Sequence, residues 1–212
     1  TTFTLGADTP EKMAEGARNY DHARRIKVKL TGDPADDVAR IRAIRAARPE
    51  VWLAVDANQG FTRDTIGPVL EALEDCGVCL LEQPFARGAE HALDGFDSPI
   101  PVAADESALS LQDIDGLVGR FDIVNIKLDK CGGLTEGLAM ARAASKLGLG
   151  VMVGNMVGTS LAMAPAYVLG QLCAVVDLDG PIFLTEDRKP SIAYADGLVT
   201  CADTIWGSGT PA

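Results

Sequence analysis

A chain of 212 residues, 47% hydrophobic and 23% charged, has the length and composition for one sizeable globular core. Its formal net charge of −11 and pI of about 4.6 argue against nucleic acid or an anionic membrane as partner. There is no unbroken apolar run of about 18 residues and no charged-then-apolar leader, so neither a membrane span nor a signal peptide is expected, and a cytoplasmic location is.

Thr2–Gly6 reads as a short first strand, and Thr9–Asn19 as a helix with Thr9 as its cap and Pro10 at its first position. Arg25–Leu30 is the second strand. The helix over Asp33–Arg48 sets Val38, Ile41 and Ile44 on one face and arginines on the other. Val51–Val55 is an apolar third strand that stops on Asp56-Ala57-Asn58, and Arg63–Asp75 is the next helix. Cys79–Leu81 is the fourth strand. A weak helix over Ala89–Phe96 leads to the fifth, Pro101–Ala104, and a short helix over Leu111–Val118 to the sixth, Asp122–Lys127. A helix over Leu134–Leu147, entered through Gly132-Gly133, precedes strand Gly150–Val153. A helix over Ser160–Leu169 precedes the eighth strand, Ala174–Asp177. The tail to Ala212 reads as short extended pieces and turns.

This alternation predicts an α/β fold, a TIM-like (β/α)7β barrel, as a single domain over residues 1–212. No GxGxxG follows an early strand, which argues against an open doubly wound sheet. The five cysteines are scattered and odd in number, which fits reduced thiols. Cys76-Gly-Val-Cys79 falls where a helix hands over to a strand, the wrong place for a redox pair.

Three predicted strands end on an acid: Asp56, Glu82 and Asp105, each about one β/α unit after the last. One such acid either caps the next segment or is held over the barrel mouth as a ligand. Three on successive tips form a hard-oxygen site for a divalent cation. Lys27, Lys29 and Lys127 lie inside apolar strand patterns. A lysine there either snorkels at a strand edge or is buried beside acids. Lys27 and Lys29 share one strand face, so both point into the barrel if Val28 packs outward. Strands two and six are opposite in a ring of eight. Lys29 and Lys127 would then flank the acidic arc, one placed to remove an α-proton and the other to return a proton to the opposite face. The eighth strand ends Asp177-Leu178-Asp179-Gly180-Pro181. These two acids either cap the turn or hold a cationic group such as an α-ammonium.

Lys27-Val28-Lys29, Asp56-Ala57-Asn58, Glu82-Gln83-Pro84, Asp105-Glu106-Ser107 and Asn125-Ile126-Lys127, in that order over essentially the whole chain, resemble the enolase superfamily. That superfamily is the known case of a Lys or His base beside Mg²⁺, so this pairing is inherited from the resemblance. Lysines on strands two and six resemble its muconate-lactonizing subgroup. The only histidines, His22 and His91, are not placed as the late histidine base of the mandelate-racemase subgroup. The Asp177-Leu178-Asp179 motif and the run NIKLDKCGGLTEGLA resemble dipeptide epimerases. The resemblance implies that Asp56, Glu82 and Asp105 bind Mg²⁺ and that Lys29 and Lys127 are the acid/base pair. It also implies that Lys27 assists at the substrate carboxylate, that Asp177 and Asp179 grip the dipeptide ammonium, and that Asn58 and Glu106 orient neighbouring groups.

The expected activity is 1,1-proton transfer at the C-terminal residue of an L-Ala-Xaa dipeptide, such as L-Ala-D/L-Glu in peptidoglycan recycling. The partner is then a small dipeptide, with homo-oligomer formation left open. The alternatives are o-succinylbenzoate synthase, N-acylamino acid racemase or muconate cycloisomerase chemistry, whose substrates offer no ammonium to the two acids, and a non-catalytic binding barrel. The superfamily's N-terminal capping domain, about a hundred residues, is expected to be absent, because the chain starts at its first barrel strand.

Overall fold

The computed structural model describes residues 1–206. Eight parallel strands stand in sequence order in one sheet: β1 (Phe3–Leu5), β2 (Arg25–Lys29), β3 (Trp52–Asp56), β4 (Leu80–Glu82), β5 (Val102–Ala104), β6 (Ile123–Lys127), β7 (Gly150–Gly154) and β8 (Val175–Val176). Hydrogen bonds join the two ends of the sheet. Thr2 N–H donates to the Val176 carbonyl at 2.8 Å, and Leu178 N–H to Thr1 Oγ1 at 2.9 Å. The helices are α1 (Pro10–Asn19), α2 (Pro34–Ala47), α3 (Gly67–Asp75), α4 (Leu128–Cys131), α5 (Leu134–Lys146) and α6 (Ser160–Gly170). This is the predicted TIM-like arrangement. Among the described residues no helix is long and apolar enough to cross a membrane.

Strand periodicity sorts the core into two layers. Ile26, Val28, Leu53, Val55, Val124, Ile126, Val151 and Val153 face the helices and belong to the main apolar cluster. Ala54, Leu80, Ala103, Met152 and Val175 form a smaller cluster of their own, the plug inside the sheet. The alternate positions on the inner side end in polar groups at the C-terminal rim. Val28 therefore packs outward as expected, and Lys27 and Lys29 turn inward.

Local chemistry sets the helix starts. Thr9 Oγ1 accepts from Lys12 N–H, and Asp33 accepts from Ala35 and Asp36 N–H, each before a proline in the first turn. The wholly buried Asp37 accepts from Gly32 N–H at 2.9 Å and Arg40 Nη1 at 2.7 Å, which pins the loop beyond Lys29.

Several boundaries differ from expectation. Helix α3 starts at Gly67, because Pro68 fits only a first turn; Thr62 and Thr65 close a separate turn before it. The expected helices over Ala89–Phe96 and Leu111–Val118 are 3₁₀ turns, Glu90–Leu93 and Leu111–Leu117, too short to nucleate α-helix. The one-turn helix α4 was not anticipated. The tail forms a hairpin of β9 (Ala193–Ala195) and β10 (Leu198–Thr200), turning at Asp196-Gly197. The end of the expected tail, residues 207–212, lies outside the described residues. All five cysteines are free.

Candidate active site

Register brings the charged residues together. Lys29 pairs with Asp56 across β2 and β3, and Asp56 with Glu82 across β3 and β4. Asp105 stands one residue beyond β5. Asp56, Glu82 and Asp105 are buried, and one ligand oxygen from each lies within 4.8 Å of the others. Glu82 Oε1 accepts from Asn125 Nδ2 at 2.6 Å, whereas its buried Oε2 has no hydrogen-bond partner. A buried carboxylate oxygen without a hydrogen bond, among three converging acids, fits a hard divalent cation such as Mg²⁺, which takes oxygen ligands. Burial, then the charge of Asp56, pushes the Glu82 carboxyl up to about 8.

The lysines supply the opposing charge. Lys29 Nζ donates to Asp56 Oδ2 at 2.6 Å from the half-exposed rim. Across the ring, Lys127 Nζ donates to Asp105 Oδ2 at 2.5 Å. Burial opposes ionisation of Asp105, but Lys130 and Lys127 outweigh it and hold this carboxyl well below its ordinary range. Burial likewise works to lower Lys127, and Asp105 and Glu82 outweigh it, so its pKa stands above the usual value. Lys27 lies deeper. Its Nζ pairs with Asp177 and stands 3.4 Å from Glu82 Oε2 and 3.8 Å from Asp56 Oδ2. Burial acts to lower it, yet Asp177, Glu82 and Asp56 together hold its pKa well above the ordinary value.

Asp177 and Asp179 flank the same cavity, a space of about 390 Å³ also lined by Lys27, Lys29, Lys127, Asn58 and Glu106. Asp177 accepts from Lys27 and from Thr2 Oγ1, so it already has partners within the chain. Asp179 Oδ2 accepts from Thr4 N–H at 2.6 Å, and burial, then the charge of Asp177, pushes its carboxyl up to about 6. Strand β1 and the residue before it thus seat both acids. Asn58 has a left-handed backbone, φ 45°, and its N–H donates to Asp56 Oδ1 at 3.0 Å; its contact with the metal cluster is through the backbone. Glu106 is half-buried, with Oε2 unpartnered, and burial followed by Asp105 raises its pKa. Met156, Val157 and Phe183 form an exposed apolar edge beside Asp179. A larger, shallower depression of about 640 Å³ near Arg87 and Arg120 contains none of the three strand-tip acids.

Two neighbours escaped sequence reasoning. Lys130, on α4, donates to Asp105 Oδ1 at 2.5 Å and to the Asp105 and Asn125 carbonyls. Asn125 donates to Glu82. Strand periodicity signals Asn125, which shares the inward face of Lys127; Lys130 carries no such signal, since it lies beyond the strand on a single helical turn. Gly154, opposite Lys127 in register, is required by close approach. A Cβ there would stand 2.6 Å from Asn125 Oδ1 and 2.9 Å from Lys127 Cε.

Relatives share this framework. The chain is 43% identical over 205 residues to an N-acetyl-D-glutamate racemase of Pseudoalteromonas sp, covering 96% of this chain and 64% of that one. It is 39% identical over 199 residues to the L-Ala-D/L-Glu epimerase of Escherichia coli (strain K12), covering 93% of this chain and 61% of the relative. A crystal structure of a dipeptide epimerase from Methylococcus capsulatus, complexed with Mg and the dipeptide L-Arg-D-Lys, superposes with a TM-score of 0.87. It is 30% identical and covers 95% of this chain and 60% of its own. The chain therefore spans a little over three-fifths of the length of these relatives. The model of the enolase C-terminal domain-like family matches residues 11–204, and with the eight parallel strands and the acids on their tips it shows that the chain belongs to that family, within the enolase superfamily.

Proposed function

We propose that this chain is the catalytic barrel domain of a Mg²⁺-dependent epimerase that moves the α-proton of the C-terminal residue of an L-Ala-Xaa dipeptide, with L-Ala-D/L-Glu as the first substrate to test. The observation that carries this reading is the pair Lys29 and Lys127, on opposite strands and lining one cavity with Asp105, which converges with Asp56 and Glu82 beneath it. In this reading Asp56, Glu82 and Asp105 hold Mg²⁺. The ion, when bound, supplies a Lewis acid that offsets the negative charge developing as the α-proton leaves.

The chain's own residues do the rest. One of Lys29 and Lys127, neutral, takes the proton from one face of the α-carbon; the other, as an ammonium, returns a proton to the opposite face. Lys127 loses the pull of Asp105 once that carboxylate is engaged elsewhere, and burial then acts to lower its pKa. Lys27 stays charged between its acids and assists at the substrate carboxylate. Asp179, with Asp177 behind it, holds the substrate ammonium, while Asn58 and Glu106 orient the groups around the cavity. Recycling of peptidoglycan fragments in the cytoplasm is the setting that such a dipeptide implies. The net charge of −11 supports small-molecule partners over nucleic acid or membrane.

A second reading, N-acylamino acid racemisation, is favoured by the 43% identity to the N-acetyl-D-glutamate racemase. It keeps the lysines and the metal and leaves Asp179 without an ammonium to hold. Incubation of the intact protein with Mg²⁺ in D₂O, once with L-Ala-L-Glu and once with N-acetylglutamate, separates the two by mass spectrometry. The proposal expects α-deuteration of the dipeptide with inversion, and loss of the inversion in Lys127→Ala. Exchange confined to N-acetylglutamate selects the second reading, and exchange with neither N-acetylglutamate nor any L-Ala-L-Xaa dipeptide sinks both.

A further inference from the structure

Gln83 follows Glu82 at the tip of β4. It is buried, and no step of the proton transfer uses it. Its backbone is left-handed, φ 39°, a conformation that a residue with a Cβ keeps only where the surroundings enforce it. The side-chain amide is fully engaged. Oε1 accepts from the N–H groups of Asp105 at 2.9 Å and Ser107 at 3.2 Å. Nε2 donates to the Phe85 carbonyl and to Ser107 Oγ, both at 2.9 Å. An amide offers two donors and two lone pairs, so no capacity is left for a ligand.

Those bonds run between the acids. Asp105 lies just past the end of β5, where the strand ladder no longer holds its backbone, and Gln83 Oε1 takes the place of a ladder acceptor. On the other side, Gln59 N–H, from the loop after Asp56, donates to the Gln83 carbonyl at 2.8 Å. One residue thus links the segments that follow Asp56 and Glu82 to the backbone of Asp105.

We propose that Gln83 is a positioning residue: it fixes the spacing of Asp56, Glu82 and Asp105 and thereby the affinity of the cluster for a divalent cation. This rests on the metal reading given above. The partners that orient metal ligands typically govern affinity by about 10–100-fold.

Calorimetric titration of Mg²⁺ into the intact protein tests this without turnover. Gln83→Met keeps length and bulk but removes the acceptor for both N–H groups, and should weaken Mg²⁺ binding by about 10–100-fold. Gln83→Glu keeps an acceptor oxygen there, and should bind within about three-fold of the unaltered protein. A space-filling role gives the reverse order, with Met tolerated and a buried carboxylate disruptive. Unaltered affinity in Gln83→Met, or weaker binding in Gln83→Glu than in Gln83→Met, overturns the proposal. Should Gln83→Met not fold, Gln83→Glu decides alone: near-normal affinity supports the proposal, and a loss of about ten-fold or more overturns it. If the unaltered protein does not bind Mg²⁺, the metal reading fails first and this one with it. If it binds Mg²⁺ and Gln83→Met binds equally, only the role of Gln83 fails.

Discussion

Lys27→Met should be among the most destabilising substitutions in the chain. The Lys27 ammonium is 2% exposed, pairs with Asp177, and stands 3.4 Å from Glu82 and 3.8 Å from Asp56. At an effective dielectric near 20, one such contact is worth about 4 kcal/mol before desolvation is subtracted. Most of that is offset by the cost of burying the charges. Removing one partner, however, leaves buried carboxylates unpaired, and such deletions cost about 3–5 kcal/mol. For a domain of this size that is a fall in Tm of roughly 6–20 °C.

The pH dependence gives the loss its signature. With Lys27 present, Asp177 is buried yet held below its ordinary pKa, Lys27 outweighing the desolvation. Without it, only the Thr2 hydroxyl and the more distant charge of Lys127 oppose the desolvation, and the folded-state pKa should rise above the unfolded one. A raised carboxyl contributes stability that is complete below the unfolded pKa and lost as pH rises through the folded pKa. The variant should therefore be much weaker than the parent at pH 8 and recover toward it near pH 5, in metal-free thermal unfolding at both pH values. A deficit under about 1 kcal/mol at pH 8, or an equal deficit at both pH values, would refute the reasoning. Lys27→Met with Asp177→Leu should regain part of the loss, because the pair is then removed whole.

The metal-free protein should itself lose stability from pH 5 to pH 8 in urea unfolding. Glu82, raised to about 8, and Asp179, raised to about 6, hold protons in the folded state that the unfolded chain has released; the slope is at most about 1.4 kcal/mol per pH unit per proton, and saturating Mg²⁺ should flatten it. Gly154→Ala puts a Cβ 2.9 Å from Lys127 Cε and should lower kcat/KM by about 100-fold with the circular dichroism spectrum unchanged; normal turnover would mean that Lys127 need not stay where it is. Asp179→Asn should raise KM for dipeptides by about ten-fold or more while leaving N-acetylglutamate exchange unaltered, and an unaffected dipeptide KM would reduce the motif to a turn.

The acids and the opposed lysines were legible in the sequence because strand period and barrel order are one-dimensional signals. Lys29, Asp56 and Glu82 fall in register because each ends its strand at the same level. What stayed hidden depends on closure or on irregular backbone. The motif at Asp177 and Asp179 was visible, but its partners Thr2 and Thr4 belong to the far end of the chain and meet it only where β8 returns to β1. Lys27 reads from sequence as a companion of Lys29, whereas in the fold it is the counterion of Asp177. Lys130 sits on a single helical turn that no periodicity announces. Gln83 reads as a residue between Glu82 and Pro84, and its reach to the next strand tip follows from a left-handed backbone that its residue type does not favour.

Charge balance then says why the cavity holds so many lysines. Four of the five buried carboxylates in or beneath it, Asp56, Glu82, Asp105 and Asp177, face four ammonium groups, those of Lys27, Lys29, Lys127 and Lys130, while the fifth, Asp179, is balanced under the proposed reading by the substrate ammonium. Fully ionised, the set is neutral. Under the proposed reading, Mg²⁺ adds two positive charges and the substrate carboxylate one negative, a surplus of one in a site where unbalanced charge is costly. Release of one lysine proton restores neutrality. Any proton held on Glu82 in the metal-free state does not alter this final count, since Glu82 is ionised as a ligand. Asp56 and Asp105, the acceptors of Lys29 and Lys127, are taken up as metal ligands in this reading, whereas Lys27 keeps Asp177 and Lys130 keeps two carbonyls, so the neutral lysine falls to Lys29 or Lys127. One neutral and one charged lysine, on opposite strands, is the protonation state that transfer across an α-carbon requires in either direction. Under that reading, the excess of lysines over metal ligands is what frees one of them to act as a base once the site is loaded.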